Sequence, residues 1–190
     1  MRFYDPTNGN ILVNNVDSLD ITKRSLRKSI GMVLQDTWIF KGTVLDNIKY
    51  SKMDATFEDV VNASKEANAD GFISRLPNGY ETEISMNSGL SSGEMQLICI
   101  ARMMLIKPEF IILDEATSNI DTRTEIKISK AFDGLMNGKT SIVIAHRLST
   151  IKSADRIIVM KDGRIIEEGR HEDLINQKGF YYSLYMAQFE

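Results

Sequence analysis

Two apolar runs, FIIL at 110–113 and SIVIA at 141–145, constrain this chain more than any other feature. Apolar runs without alternation belong to strands covered on both faces, and a helical pattern between them makes the two strands parallel. The expected fold is therefore α/β, with a parallel sheet at its centre and helices on both sides.

The remaining pattern fits that frame. ILVNN (11–15) and IGMVLQD (30–36) read as strands with a short basic helix, ITKRSLRKS, between them. GTVLDNIKYS gives a helical turn with Thr43 as its N-cap. From Thr56 to Leu76 the apolar spacing is helical, and PNGYETE closes that block with a turn. A strong helix runs from about Glu94 to Ile106 and is stopped by Pro108. Further helices are expected over roughly 122–136 and 148–152, then a hairpin of RIIVM and GRIIEEG joined by KDG, then a helical tail over 171–189. The helices of 56–106 interrupt the strand–helix alternation and form a separate helical lobe.

Composition narrows the function. With 190 residues, 43% apolar and 26% charged, the chain is long enough for a soluble globular domain. A net charge of −3 and no basic block argue against nucleic acid as partner. The single Cys99 excludes a disulfide framework. No apolar run approaches the ~20 residues that cross a bilayer, and MRFYDPTNGN has no signal-peptide character. The chain reads as cytosolic in character and free to dock on a membrane partner.

Several residues could carry chemistry. Asp114 and Glu115 end the FIIL strand, where ligands bind in open parallel sheets. Asp114 could hold Mg2+ and Glu115 could polarise a water, or both could be solvated acids at a strand end. LSSGE (90–94) opens a helix, so Ser91, Ser92 and Gly93 could meet an anion there or simply cap the helix. His146 ends a strand and could donate to a phosphate or position a water, or be structural, and Gln35 follows a strand and could reach a metal or water, or be a surface amide. Asp121 precedes the helix beginning at Thr122 and reads by default as its cap. GLMNGKT (134–140) imitates a phosphate loop, but it has three residues between its glycines where four are required. It also leaves a helix to enter a strand, so it is a turn.

Gln35, LSSGE, FIILDE, SNID and SIVIAH occur in that order, and the succession resembles the ATP-binding cassette (ABC) family. It is most similar to the nucleotide-binding domain of bacterial multidrug and lipid exporters. VLQDTWIFKGTVLDNI, LDEATSNIDTRTE and IAHRLSTIKSADRIIVMKDGRIIEEGRHEDL are all similar to the exporter pattern. The resemblance implies ATP and Mg2+ as cofactors. It makes Glu115 and His146 catalytic, as the glutamate after the Walker B strand and the switch histidine. Asp114 and Gln35 fall on the metal. Gln35, Ser91, Ser92, Gly93, Glu94 and Asp121 fall on the nucleotide, through the Q-loop, signature motif and D-loop. The implied fold is P-loop NTPase-like, with the core in 1–55 and 107–190 and a helical subdomain over about 56–106.

Two departures stand out. The signature usually reads LSGGQ, whereas Ser92 and Glu94 replace a glycine and the glutamine here. The Walker A strand and loop, which the family places before RFYDPTNG, are not among these residues. The resemblance puts that strand beside FIIL and implies a chain truncated at its N-terminus and inactive alone. The implied partners are exporter transmembrane domains and a second nucleotide-binding domain, at the cytoplasmic face of the membrane. The alternatives are a non-catalytic module completing a partner's site, an inactive fragment, or a soluble ABC ATPase of DNA repair or translation.

Overall fold

The computed structural model describes residues 1–34, 36–115, 120–145 and 151–187, with the backbone alone at 115 and 145. The chain divides into two compact units, Met1–Ile144 and Ala145–Glu190.

The first unit opens with a small antiparallel hairpin, β1 (Leu12–Val13) and β2 (Val16–Asp17). Its turn is Asn14–Asn15, both at positive φ, a conformation that asparagine tolerates better than most residues. The single strand expected over 11–15 is thus a hairpin, because its two asparagines reverse the chain. Helix α1 (Lys23–Ser29) follows, with Thr22 accepting from the Ser25 amide at 3.2 Å, and leads directly into β3 (Ile30–Val33).

Next, β4 (Gly42–Thr43) pairs antiparallel with β5 (Glu83–Ile84). Helix α2 (Val44–Lys49) is capped by Thr43, as expected, and Asp46 returns the bond to the Thr43 amide. Thr56 and Asp59 repeat that box at the start of α3 (Phe57–Glu66). Asn68, at positive φ, separates α3 from α4 (Asp70–Ile73), so the helical stretch of 56–76 is two helices.

Helix α5 (Ser92–Ile106) is the axis of the unit, with Ile98, Ile100 and Ala101 fully buried. Then come β6 (Phe110–Glu115), α6 (Thr122–Met136) and β7 (Thr140–Ala145). The turn between α6 and β7 contains the GKT decoy, which leaves a helix and enters a strand.

Strand β6 lies between β3 and β7 and runs parallel to β3, with Ile30 opposite Phe110 and Val33 opposite Leu113. Both edges of β6 are therefore taken. This corrects the expectation that a further strand lies beside FIIL; such a strand could pair only at an outer edge of β3 or β7. A second correction concerns the faces. Val33, Ile111 and Leu113 are buried in the core with α5 and α6, and Val143 packs against it. The alternate residues Ile142 and Ile144 remain 51% and 50% exposed. Both long helices contribute to the same core, so among the described residues the covered face of β7 is the one carrying Val143.

In the second unit, β8 (Ile157–Lys161) and β9 (Arg164–Gly169) form the expected hairpin through Asp162–Gly163. The tail is two helices, α7 (His171–Gln177) and α8 (Phe180–Met186), because Lys178 adopts a left-handed conformation between them. Its core is Ile157, Val159, Leu174 and Tyr181. Glu167 of β9 accepts from the Phe180 amide and, at 2.8 Å, from the Tyr181 amide, which caps α8. Gly179 permits this approach, since a β-carbon there would collide with the Glu167 carboxylate.

Candidate functional site

The LSSGE segment builds its local structure from its own side chains. Ser91 is the N-cap of α5, and its Oγ accepts from the Glu94 amide at 3.2 Å. Glu94 Oε2 in turn accepts from the Ser91 amide and the Ser91 hydroxyl, both at 3.0 Å. This closed capping box sits at the positive end of a 15-residue helix. An external anion arriving there meets a carboxylate already seated on the donors of Ser91. Ser92 is exposed, while Gly93 is buried.

Asp121 organises the start of α6 in a similar way. Its carboxylate accepts from the amides of Arg123 at 3.1 Å and Thr124 at 3.0 Å. Hydrogen bonds from the Thr124 side chain and then its amide hold the Asp121 carboxyl below the usual carboxylate range. The default reading of Asp121 as a cap is correct, whatever further role it has.

These two helix starts touch. A β-carbon placed on Gly93 would lie 2.4 Å from Thr124 Cγ2 and 3.1 Å from Ile120 Cγ2. Ser91, Ser92, Gly93, Glu94 and Asp121, predicted from separate motifs, are thus brought to one place. Asp114 is half-buried near the end of β6, on the face alternate to Leu113. A carboxylate in that position suits a hard divalent cation. Gln35 and His146 lie outside the described residues, as does the side chain of Glu115.

The sequence reading missed a residue in the middle of α5. Arg102 is only 9% exposed and reaches across the core to the segment after β3. Its guanidinium donates to the Asn47 carbonyl at 2.7 Å, the Trp38 carbonyl at 2.7 Å and Asn47 Oδ1 at 2.8 Å. Burial pulls its pKa below the ordinary arginine value. Asn47, fully buried, also accepts from the Phe40 amide and donates to the carbonyls of Phe40 and Thr43. This network holds a cluster of three rings, Trp38, Phe40 and Tyr50, with Trp38 56% exposed. The available signal was an arginine inside the apolar run LICIARMML, where a solvated charge has no place.

A profile of the ABC transporter family matches residues 1–118, more than half the chain. The chain belongs to the ABC transporter family. Among curated ABC proteins, it is 54% identical over 190 residues to the "Uncharacterized ABC transporter ATP-binding protein YfiC" of Bacillus subtilis, covering 100% of this chain and 32% of that protein. It is 48% identical to the "Fatty acid ABC transporter ATP-binding/permease protein" of Mycobacterium bovis, covering 98% of this chain and 30% of that protein. Against the "ATP-dependent lipid A-core flippase" of Syntrophus aciditrophicus it is 47% identical, covering 100% and 32%. The chain spans about a third of the length of the curated relatives it matches. Its fold matches the solved "bacterial Atm1-family ABC exporter with ATP bound" with a TM-score of 0.90 and 41% identity, over 98% of this chain and 33% of that one. The ABC ATPase fold is therefore established, with exporter ATP-binding proteins as its relatives. No helix among the described residues is long and apolar enough to cross a membrane.

Proposed function

We propose that this chain is the ATP-hydrolysing part of an ABC exporter. One observation carries the reading: Ser91 and Gly93 of the signature and Asp121 of the D-loop meet at two abutting helix starts, in a chain 41% identical to an ATP-bound exporter. In this reading Ser91, Ser92, Gly93 and Glu94 face the nucleotide of a second domain, with Asp121 beside them. Asp114 and Gln35 would hold Mg2+, which when bound would offset negative charge on the phosphates. Glu115 would take a proton from the attacking water, and His146 would donate to a phosphate or position that water. Residues 56–106 act as the helical subdomain. The Trp38–Ile48 segment, with the helices of 56–77, is the seat for the membrane-spanning partner at the cytoplasmic face. The Glu94 carboxylate competes with the incoming phosphate for Ser91 and sets a weaker signature than glutamine would.

The test is Glu115→Gln in the intact gene product. Turnover should fall by about a hundredfold or more while ATP binding persists, as for loss of a general base. Hydrolysis at the unmutated rate would remove Glu115 from the chemistry.

A further inference from the structure

The helix starts of α5 and α6 are joined by a contact that neither cap requires. Gly93 is buried, and the space where its β-carbon would be is occupied by the Thr124 methyl group at 2.4 Å, with Ile120 Cγ2 at 3.1 Å and Thr124 Cβ at 3.3 Å. Backbone atoms of α5 therefore rest directly on a side chain of α6. A threonine methyl is not a flexible tip that swings aside, because the branched Cβ restricts χ1. The start of α6 is fixed beside this contact, because the Asp121 carboxylate accepts from the Thr124 amide at 3.0 Å. The methyl is the part of the Thr124 side chain that meets Gly93.

We propose that Thr124 is a positioning residue: it transmits the placement of the Asp121 cap to the signature helix by filling the hollow at Gly93. On this account Gly93 is required by what lies behind the helix as well as by what approaches its front. The two motifs then move as one body. A shift of α5 by the thickness of one methyl group would carry Ser91 away from its target, and misplacement on the order of 1 Å can cost ~100-fold in rate. The proposal rests on the ATPase reading for its activity arm alone; the contact can be tested without it.

The decisive experiment moves one methyl group across the interface. Gly93→Ala adds it to α5, Thr124→Ser removes it from α6 while keeping the hydroxyl for Asp121, and the double variant does both at constant volume. Melting temperature, ATP affinity and ATP turnover are measured on the intact gene product, with turnover recorded well below every melting point. Gly93→Ala should melt lower and lose roughly ten- to hundredfold in turnover, with ATP affinity retained. Gly93→Ala/Thr124→Ser should recover part of both losses, held below the parent by Ile120 Cγ2, which stays 3.1 Å from the added carbon. If the double variant stays as impaired as Gly93→Ala, or recovers its melting point without its turnover, the positioning role is wrong. Gly93 would then act at the front of the helix. If no form of the protein turns over ATP, the function proposed above fails. The melting order then decides the contact by itself, and a double variant no more stable than Gly93→Ala overturns it.

Discussion

The two units of the chain are held together by different means. Around α5, 25 buried hydrophobic residues among those described form one continuous cluster, and the buried Asn47 and Arg102 beside it bond to each other and to neighbouring carbonyls. Among the described residues, the core cluster of the hairpin unit is Ile157, Val159, Leu174 and Tyr181. It compensates with directional contacts. Glu167 caps α8, and His171 Nδ1 shares a 2.7 Å hydrogen bond with the Tyr181 hydroxyl. Lys161 lies 5.1 Å above the Phe180 ring, and Arg156 pairs with Glu168 at 2.8 Å. Such exposed pairs are each weak, so in this unit orientation depends on a few hydrogen bonds, whereas around α5 it depends on packing. The same chain thus contains one part that resists local loosening and another that should open one contact at a time.

Truncating a wall of the large core is the strongest challenge to that contrast. Leu97→Ala should cost about 4 kcal/mol, near the upper range for such deletions, because the packed surroundings cannot collapse into the void. Leu174→Ala should cost about 2 kcal/mol, since a four-residue core has fewer walls to hold a cavity open. Equal losses in denaturant titrations would show that the hairpin unit depends on apolar packing as much as α5 does. A smaller effect is expected from Glu167→Ala, about 1–2 kcal/mol for two amides left without their cap. It should appear as faster amide exchange confined to residues 180–186; unchanged protection there would remove Glu167 from the account. The smallest effect is acid loosening of helix starts around α5. Asp46 is held below its ordinary 3.8 by the Thr43 side chain first and its amide second, and Asp59 by the Thr56 amide first. A carboxyl whose folded pKa lies below its unfolded value stabilises fully above the unfolded value and loses that contribution as pH falls through the folded one. Stability should therefore decline below about pH 4, and Asp59→Asn should make the decline shallower. A slope unaltered by that substitution would mean the box does not report acid.

Features that depend on neighbours in sequence were legible. Thr43 and Asp121 are caps because the side chain and the amides it serves are three residues apart or closer. The spacing of apolar residues over 122–136 was sufficient to place α6. The order of the motifs identified the family, and the structure brought residues 91–94 and 121 together. What could not be read depends on distant partners. Arg102 finds its acceptors 55 and 64 residues earlier, so the local pattern shows only a charge inside an apolar run. Likewise, nothing in FIIL or SIVIA says that α5 and α6 contribute to the same core, or that β7 occupies the second edge of β6. Asn14–Asn15 and Lys178 were passed over because strand and helix propensity on either side outweighed one or two residues able to adopt positive φ. For the catalytic candidates Glu115 and His146, and for Gln35 at the metal, sequence is the source of the assignment.

Arg102 has a consequence for how the protein responds to its surroundings. Its oxygen acceptors are carbonyl and amide groups, none of which ionises in the range a cell or a buffer explores. A joint made of two opposite charges weakens when dissolved ions crowd between them or when its acid takes up a proton. A cation held by neutral dipoles inside the core responds to neither. Acid strong enough to open the aspartate caps should leave the Trp38 segment attached to α5, and added salt should do the same. That seam is a mechanical coupling indifferent to ionic conditions, and the single tryptophan beside it gives a native optical probe of whether it holds.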